Sequence, residues 1–220
     1  MTYRAVIFDR DGVLLDFDLG AAAAFFEPLI SVSLEELIEL WREWGRRAGF
    51  PTTLAEEQRF WDGVWRFVAE RLDLEPAVQR KLEQFNYTSI LYPYPDARPA
   101  LEKAREHNLQ VGVLSNFSLA SIDASLEAVG LAHLVDVTAA APVIGSAKPD
   151  PEAYHYVLRR LEARPEETLF FDNKRAHVEG ARALGMRAFL VDRQQPRDRL
   201  DDGVVRDLSP LSQILSIEGG

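Results

Sequence analysis

The 220-residue sequence contains no cysteine. This absence excludes disulfide bonds, thiol catalysis and zinc sites with cysteine ligands. Lysine is scarce, since it occurs only at positions 81, 103, 148 and 174 and most basic residues are arginines. We attribute that bias to genome composition or growth temperature, not to function.

Long apolar runs and an excess of positive charge are also missing. The longest apolar stretch, Leu19 to Phe26, is too short to span a bilayer, and we see no signal peptide, so we expect a cytoplasmic protein. A net charge of -10 argues against nucleic acid or an anionic membrane as the main partner. It leaves room for a small phosphorylated metabolite, because a metal ion and a few local cations can reverse the potential in one cleft.

What is present is an ordinary globular composition, 47% hydrophobic and 27% charged, with alternating strand and helix patterns. Alternation of this kind predicts an α/β fold, with a doubly wound parallel sheet and helices on both faces. Strands are expected at 3–8, 109–114, 134–138, 168–171, 187–191 and 204–205, and helices at 99–107, 119–129, 151–161, 177–184 and 208–215. Residues 92–96, rich in Tyr and Pro, are expected to form a hinge.

A block of helical patterns separates the first two of these strands. The gap is about 100 residues, whereas a single strand–helix–strand unit needs only about 30. Within this block Ser33 opens a capping box, and the four tryptophans of the block are expected to form a local core. We therefore predict a small α-helical bundle inserted as a cap at 17–88, with an α/β core domain formed by 1–16 and 89–220.

Two carboxylates end the first strand, in the stretch Phe8-Asp9-Arg10-Asp11-Gly12. Residues two apart lie on the same side of an extended chain, so Asp9 and Asp11 can face one site, where a cation or a shared proton is expected between them. A calcium loop of the EF-hand type does not fit, because its glycine would stand sixth, not fourth. A plain polar turn remains the alternative reading of this motif taken alone.

Polar residues follow the later strands as well. Ser115-Asn116 follows the second strand, Lys148 precedes a helix capped by Asp150, and Asp172-Asn173 follows the strand at 168–171. Because ligands of parallel sheets bind at the carboxyl ends of the strands, these side chains should share one crevice. Such a set can hold Mg²⁺ together with a phosphoryl group.

The four motifs F-D-R-D-G-V, L-S-N, K-P-D-P and F-F-D-N, in this order, resemble those of the haloacid dehalogenase-like (HAD) hydrolase superfamily. The resemblance covers essentially the whole chain, including a Rossmann-like core and a helical cap after the first motif. It implies a Mg²⁺-dependent phosphatase in which Asp9 is the nucleophile and Asp11 the general acid and base. Gly12 would let the chain turn under the substrate.

The resemblance also implies roles for the later motifs. Ser115 and the backbone amide at Asn116 would bind the phosphoryl oxygens, and Lys148 would neutralise charge on the nucleophile and the phosphoryl group. Asp9, Asp11 and Asp172 would hold Mg²⁺, with Asn173 as a further candidate ligand. Asn173 is a departure, because the family usually has a second acidic residue here or four to five residues on. The four histidines are expected to be surface or helix residues.

Three alternatives stay open at this stage. A 2-haloacid dehalogenase is disfavoured by Asp11, since a halide leaves without a proton. A phosphomutase shares the motifs, and a catalytically weakened relative acting as a binding module is suggested only by Asn173. Candidate specificity residues are the segment Val13 to Asp16, which follows Asp11, and Arg46, Arg47 and Tyr87 of the cap. The sequence identifies neither the substrate nor the oligomeric state.

Overall fold

The computed structural model describes residues 3–218 and alternates strands with helices along most of that range. The strands are β1 (Ala5–Phe8), β2 (Leu15–Phe17), β3 (Leu91–Pro93), β4 (Gln110–Ser115), β5 (Val137–Ala140), β6 (Thr168–Asp172), β7 (Arg187–Val191) and β8 (Val204–Val205). The helices are α1 (Leu19–Phe26), α2 (Leu34–Ala48), α3 (Leu54–Arg71), α4 (Pro76–Leu82), α5 (Ala97–Glu106), α6 (Ile122–Ala128), α7 (Ala141–Ile144), α8 (Pro151–Arg160), α9 (Arg175–Ala183) and α10 (Leu211–Glu218).

A six-stranded sheet in the order β5-β4-β1-β6-β7-β8 forms the centre of the molecule, and its paired strands are all parallel. Alternate residues of β1 face opposite sides: Val6 and Phe8 join one hydrophobic cluster, whereas Ala5 and Ile7 join another. All four are fully buried, which is what a strand covered by helices on both faces requires. The predicted doubly wound α/β sheet is confirmed.

The chain leaves this sheet after β1 and returns through a short antiparallel pair, β2 with β3. Between them lie α1 to α4, which pack around a third cluster containing Phe26, Phe60 and Trp65. The predicted capping box at Ser33 is present, since its hydroxyl accepts from the Glu36 amide and the Glu36 carboxylate accepts from the Ser33 amide. Division of the chain into a core and a cap at 17–88 stays a prediction.

The predicted hinge is the main local difference from expectation. Its residues Tyr92 and Pro93 belong to β3, which pairs with β2 across more than seventy intervening residues. Pro93 fits there because its strand has only one partner, so a missing amide costs no ladder bond on the open side. The short helix α7 was not expected, and most helix ends shift by a few residues.

Among the described residues, no helix is both long enough and apolar enough to cross a membrane.

The site described below is positioned by the sheet. Because β1 lies between β4 and β6, the ends of these three strands meet at one edge. Asp9, Ser115 and Asp172 stand at that edge.

Candidate active site

A buried ion cluster of Asp9, Lys148 and Asp172 occupies the carboxyl edge of the sheet. The Lys148 ammonium donates to Asp9 Oδ1 at 2.8 Å, to Asp172 Oδ2 at 2.7 Å and to the Leu114 carbonyl at 2.7 Å. The side chains of Lys148 and Asp172 are fully buried, and that of Asp9 is 9% exposed. All three ammonium hydrogens are used, so Lys148 holds the Asp9 carboxylate in a fixed position.

Asn116 positions Lys148 through its backbone. The Lys148 amide donates to Asn116 Oδ1 at 2.9 Å, and Asn116 Nδ2 donates to the Lys148 carbonyl at 2.8 Å. The neighbouring hydroxyl of Ser115 is buried and accepts from the Phe117 amide at 3.0 Å. The Asn116 side chain therefore ties β4 to the loop that carries the lysine, and the Ser115 hydroxyl can still donate a hydrogen bond.

His177 is the site residue that the sequence did not reveal. Its Nδ1 lies 3.0 Å from Asp172 Oδ2 and 3.1 Å from Oδ1, and the ring reaches this carboxylate because α9 starts at Arg175. An ionised carboxylate only accepts, so Nδ1 carries the proton. His177 is a helix residue, as expected, and its ring also contacts the buried ion cluster. The signal was its position five residues after Asp172, where the family usually has an acid.

Arg10 is fully buried and directly adjoins the proposed nucleophile. Its guanidinium donates to both carboxylate oxygens of Asp11, from Nε at 2.9 Å and from Nη2 at 3.1 Å, and lies 3.8 Å from the centre of the Phe117 ring. Its Nη1 is buried and has no acceptor among the described residues. The Arg10–Asp11 ion pair therefore fixes the side-chain conformation of Asp11 and partly compensates its negative charge.

Burial sets the protonation of the two carboxylates on this loop. It raises the pKa of Asp9 to about 6, against the opposing charge of Lys148 and with a further upward effect from Asp172. It also raises the pKa of Asp11, in spite of the guanidinium of Arg10. Two carboxyls with raised pKa values in one cleft are typical of catalytic acids and nucleophiles.

The pKa of Asp172 is shifted in the opposite direction, below its ordinary value. Burial by itself would raise its pKa, but the hydrogen bond from His177 and the charge of Lys148 outweigh burial and lower it. Asp172 is therefore the carboxylate of the cluster that stays ionised to lower pH, whereas Asp9 takes up a proton at higher pH than an ordinary aspartate.

Gly12 has a backbone φ of +77°, which favours glycine. A Cβ atom at this position would lie 2.1 Å from Asn173 Nδ2, closer than any packing allows. Asn173 approaches so closely because its Nδ2 donates to the Asp11 carbonyl at 3.1 Å. The turn therefore favours glycine at position 12, and a larger residue would also displace the Asn173 amide from the Asp11 carbonyl.

The Mg²⁺ ligand set that the resemblance implies stays a prediction. Asp11 turns its carboxylate to Arg10 and its carbonyl to Asn173, and both Asp172 oxygens are engaged by Lys148, His177 and the Lys174 amide. Within residues 3–218, no group of three or more Asp, Glu or His side chains is arranged to hold a metal ion.

A cavity of about 600 Å³ opens from the ion cluster toward the cap helices. Asp9, Asp11, Ser115 and His177 line its inner end, and Tyr87 lines its wall. Arg46 and Arg47, named above as specificity candidates, are instead exposed and paired with Glu39 and Glu43 on the surface of α2. Tyr87 is thus the one of these three that reaches the cavity.

Comparison with known proteins identifies the family of the chain. A family model for haloacid dehalogenase-like hydrolases matches residues 3–185. The chain therefore belongs to this family of hydrolases.

Particular relatives include both phosphatases and dehalogenases. The chain is 41% identical over 220 residues, covering all of both chains, to phosphatase MT3486 of Mycobacterium tuberculosis (strain CDC 1551 / Oshkosh). It is 29% identical to (S)-2-haloacid dehalogenase 4A of Burkholderia cepacia, over 87% of this chain and 84% of that one. The crystal structure of a HAD phosphatase from Thermococcus onnurineus superposes with a TM-score of 0.61 at 26% identity, covering 96% of this chain and 97% of the other.

Proposed function

We propose that this protein is a phosphoric monoester hydrolase acting on small phosphorylated molecules, with Asp9 as its nucleophile. The observation that carries the proposal is the Asp9 carboxylate, held at 2.8 Å by Lys148 at the mouth of the cavity, with a second carboxyl of raised pKa two residues on. Similarity over the full length to a protein named a phosphatase supports the same function.

In the proposed reaction an Asp9 oxygen attacks phosphorus, and the bond from phosphorus to the ester oxygen breaks. Asp11 gives its proton to the departing oxygen, so that an alcohol leaves and an aspartyl-phosphate remains. Asp11 then takes a proton from water, whose oxygen attacks the same phosphorus and releases phosphate. Asp9 is regenerated as a carboxylate, and Asp11 as an acid.

The remaining residues stabilise charge during these steps. Lys148 lies beside the attacking carboxylate and would neutralise negative charge on the phosphoryl group. Ser115 Oγ and the Asn116 amide are proposed donors to the phosphoryl oxygens. His177 Nδ1 lies 3.0 Å from Asp172 Oδ2, and we propose His177 as a positioning residue that keeps Asp172, the partner of Lys148, ionised.

The Mg²⁺ dependence implied by the family resemblance stays a prediction. If Mg²⁺ binds, Asp9 and the Asp11 carbonyl are the oxygens nearest to hand, and the amide of Asn173 must first give up its hydrogen bond to that carbonyl. The ion adds positive charge at a phosphoryl group when bound. Because Lys148, Arg10 and His177 already pair with the carboxylates of Asp9, Asp11 and Asp172, we expect weak affinity for Mg²⁺.

Asn173→Asp is expected to increase Mg²⁺ affinity about tenfold, roughly 1.4 kcal/mol. The new carboxylate would face the Asp11 carbonyl, and two oxygens in contact repel each other unless a cation lies between them. Isothermal titration with MgCl₂ measures the change. Asn173→Ala is the matched control, since it removes the same amide without adding a charge. Equal Mg²⁺ affinity in the Asp variant and wild type would contradict this account.

A 2-haloacid dehalogenase is the second candidate, and the Arg10–Asp11 ion pair is what favours it. An Asp11 that stayed ionised on Arg10 could not protonate an alkoxide, whereas a halide needs no proton. Relatives with this activity are in the comparison. Burial raises the pKa of Asp11, and this is why we place the phosphatase first.

The test is a panel of phosphomonoesters and 2-haloacids assayed with the same protein, with and without Mg²⁺. Phosphate release that is lost in Asp11→Asn supports the proposal, because the amide cannot donate a carboxylic proton. Halide release that persists in EDTA and in Asp11→Asn would assign the dehalogenase. A requirement for a sugar bisphosphate activator would identify a phosphomutase, and no turnover of either class would leave a binding module.

Turnover is expected to fall as pH drops below about 6. The attacking group must be ionised, and burial has raised the pKa of Asp9, so protonation inactivates it at a higher pH than for an ordinary aspartate. The phosphate group of a phosphomonoester also has a pKa of about 6, so it would change the pH profile of turnover as well. The titration of the Asp9 carboxyl must therefore be measured directly. Carbon NMR of aspartate-labelled protein does this, with Asp9→Asn to assign the signal. An Asp9 resonance that titrates at its ordinary value would contradict the prediction.

A further inference from the structure

The cavity above the proposed catalytic residues is walled mainly by aromatic and aliphatic side chains. Its cap side includes Phe26, Trp41, Trp61, Trp65 and Phe85. Trp61 stacks on Trp65 with ring centres 5.7 Å apart and on Tyr87 at 6.2 Å, so these rings form one continuous face. The predicted tryptophan core is therefore also part of a cavity wall. A space of about 600 Å³ is within the size range of small-molecule sites.

Polar groups are few on this wall. Among the described cap residues that line the cavity, Arg42 has the one charged side chain. This side chain is 58% exposed, and its Nη1 lies 3.7 Å from Glu39 Oε2. The Tyr87 hydroxyl already donates to the Ser121 carbonyl at 3.1 Å. A ligand rich in hydroxyls would lose its water here without gaining partners, and each buried unpaired hydroxyl is unfavourable.

The cavity extends from Asp9 and Asp11 to the cap residues. The position of the phosphoryl group therefore determines which part of a substrate lies against the cap. A phosphoryl group at Asp9 and Lys148 leaves its ester oxygen beside Asp11, and the group attached to that oxygen extends toward the cap. The wall then contacts the leaving alcohol. Burial of an apolar alcohol against these rings is favourable by the hydrophobic effect.

We infer that the substrates are phosphate monoesters of bulky apolar alcohols, in contrast to sugar phosphates or phosphorylated amino acids. This inference rests on the proposed phosphatase function and names its substrate class.

Ile38 provides a sharp variant. It lines the cavity, is only half-buried, and lies outside the hydrophobic cluster that holds the cap helices together. Ile38→Asn should therefore change the wall and leave folding intact. Leu54→Asn is the matched control, because Leu54 is a cap residue that is 66% exposed and does not line the cavity.

The experiment compares ethyl phosphate, 2-phenylethyl phosphate and glucose 6-phosphate, which all leave as primary alcohols. For the wild type, kcat/KM should be about a hundredfold higher for 2-phenylethyl phosphate than for the other two, the size of discrimination a hydrophobic pocket reaches. Ile38→Asn should reduce that preference about tenfold. Leu54→Asn should keep it. Equal kcat/KM for the three esters, or a preference for glucose 6-phosphate, would overturn the inference.

Two further readouts separate this inference from the proposed function. Hydrolysis of p-nitrophenyl phosphate reports whether the protein is a phosphatase at all. Binding of 2-phenylethanol, followed by tryptophan fluorescence, reports on the cavity without any turnover. Saturable binding that Ile38→Asn weakens and Leu54→Asn does not supports an apolar ligand even if no ester is hydrolysed, whereas no binding overturns it.

Discussion

Asp9→Asn is expected to reduce phosphomonoester turnover about a thousandfold or more, as removal of a covalent nucleophile does. The amide has no negative oxygen with which to attack phosphorus. Its carbonyl oxygen can still accept from Lys148, so the local packing is kept. Steady-state kinetics on p-nitrophenyl phosphate measures the loss.

Stability measurements show whether Asp9→Asn loses turnover because the nucleophile is missing or because the variant is unfolded. Burial has raised the pKa of Asp9 to about 6, so between its ordinary value and pH 6 the native state binds more protons than the unfolded chain. Stability contributed by this group is therefore present at low pH and lost as pH rises through 6. At pH 7 a neutral amide avoids that cost, and we expect Asp9→Asn to unfold at no lower urea concentration than wild type. Wild-type rates in a folded variant would place the nucleophile elsewhere.

Lys148→Met is the second large effect, and it should act on both activity and stability. It leaves the carboxylates of Asp9 and Asp172 buried together with no cation between them. Removal of one partner from a buried ion pair typically costs about 3–5 kcal/mol in the free energy of unfolding. Loss of the charge next to the phosphoryl group should lower kcat by about a hundredfold or more.

The double variant Lys148→Met with Asp172→Asn separates these contributions. Removing the second charge should restore much of the stability, because one buried anion in place of two then remains. Activity should stay low, since the ammonium is still missing. Urea denaturation and kinetics on the same samples decide the matter, and a Lys148→Met protein as stable as wild type would contradict the role given to the buried cluster.

Much of the core and the positions of the main polar residues could be predicted from the sequence, because both follow from local patterns. Apolar runs marked the strands, and parallel strands bring their carboxyl ends to one edge. For that reason Asp9, Ser115, Lys148 and Asp172 were expected together, and the structure places them there. Their chemical roles remain proposals.

What the sequence could not predict depends on side-chain direction and long-range pairing. Arg10 stands between two site residues in the motif, yet its burial under Phe117 and its pairing with Asp11 require the cap and the following strand to be in place. His177 reaches Asp172 only because the helix begins two residues earlier. The pairing of β2 with β3 joins segments far apart in sequence, and no local signal encodes it.

The most direct test of the central claim, attack by Asp9 on phosphorus, is to trap the covalent intermediate. The protein is mixed with p-nitrophenyl phosphate, quenched in acid during turnover, digested and examined by mass spectrometry. We predict one phosphoryl group on the peptide containing Asp9, lost on treatment with hydroxylamine and absent from Asp9→Asn. A phosphoryl group on any other residue, or phosphate release by Asp9→Asn at the wild-type rate, would contradict the account.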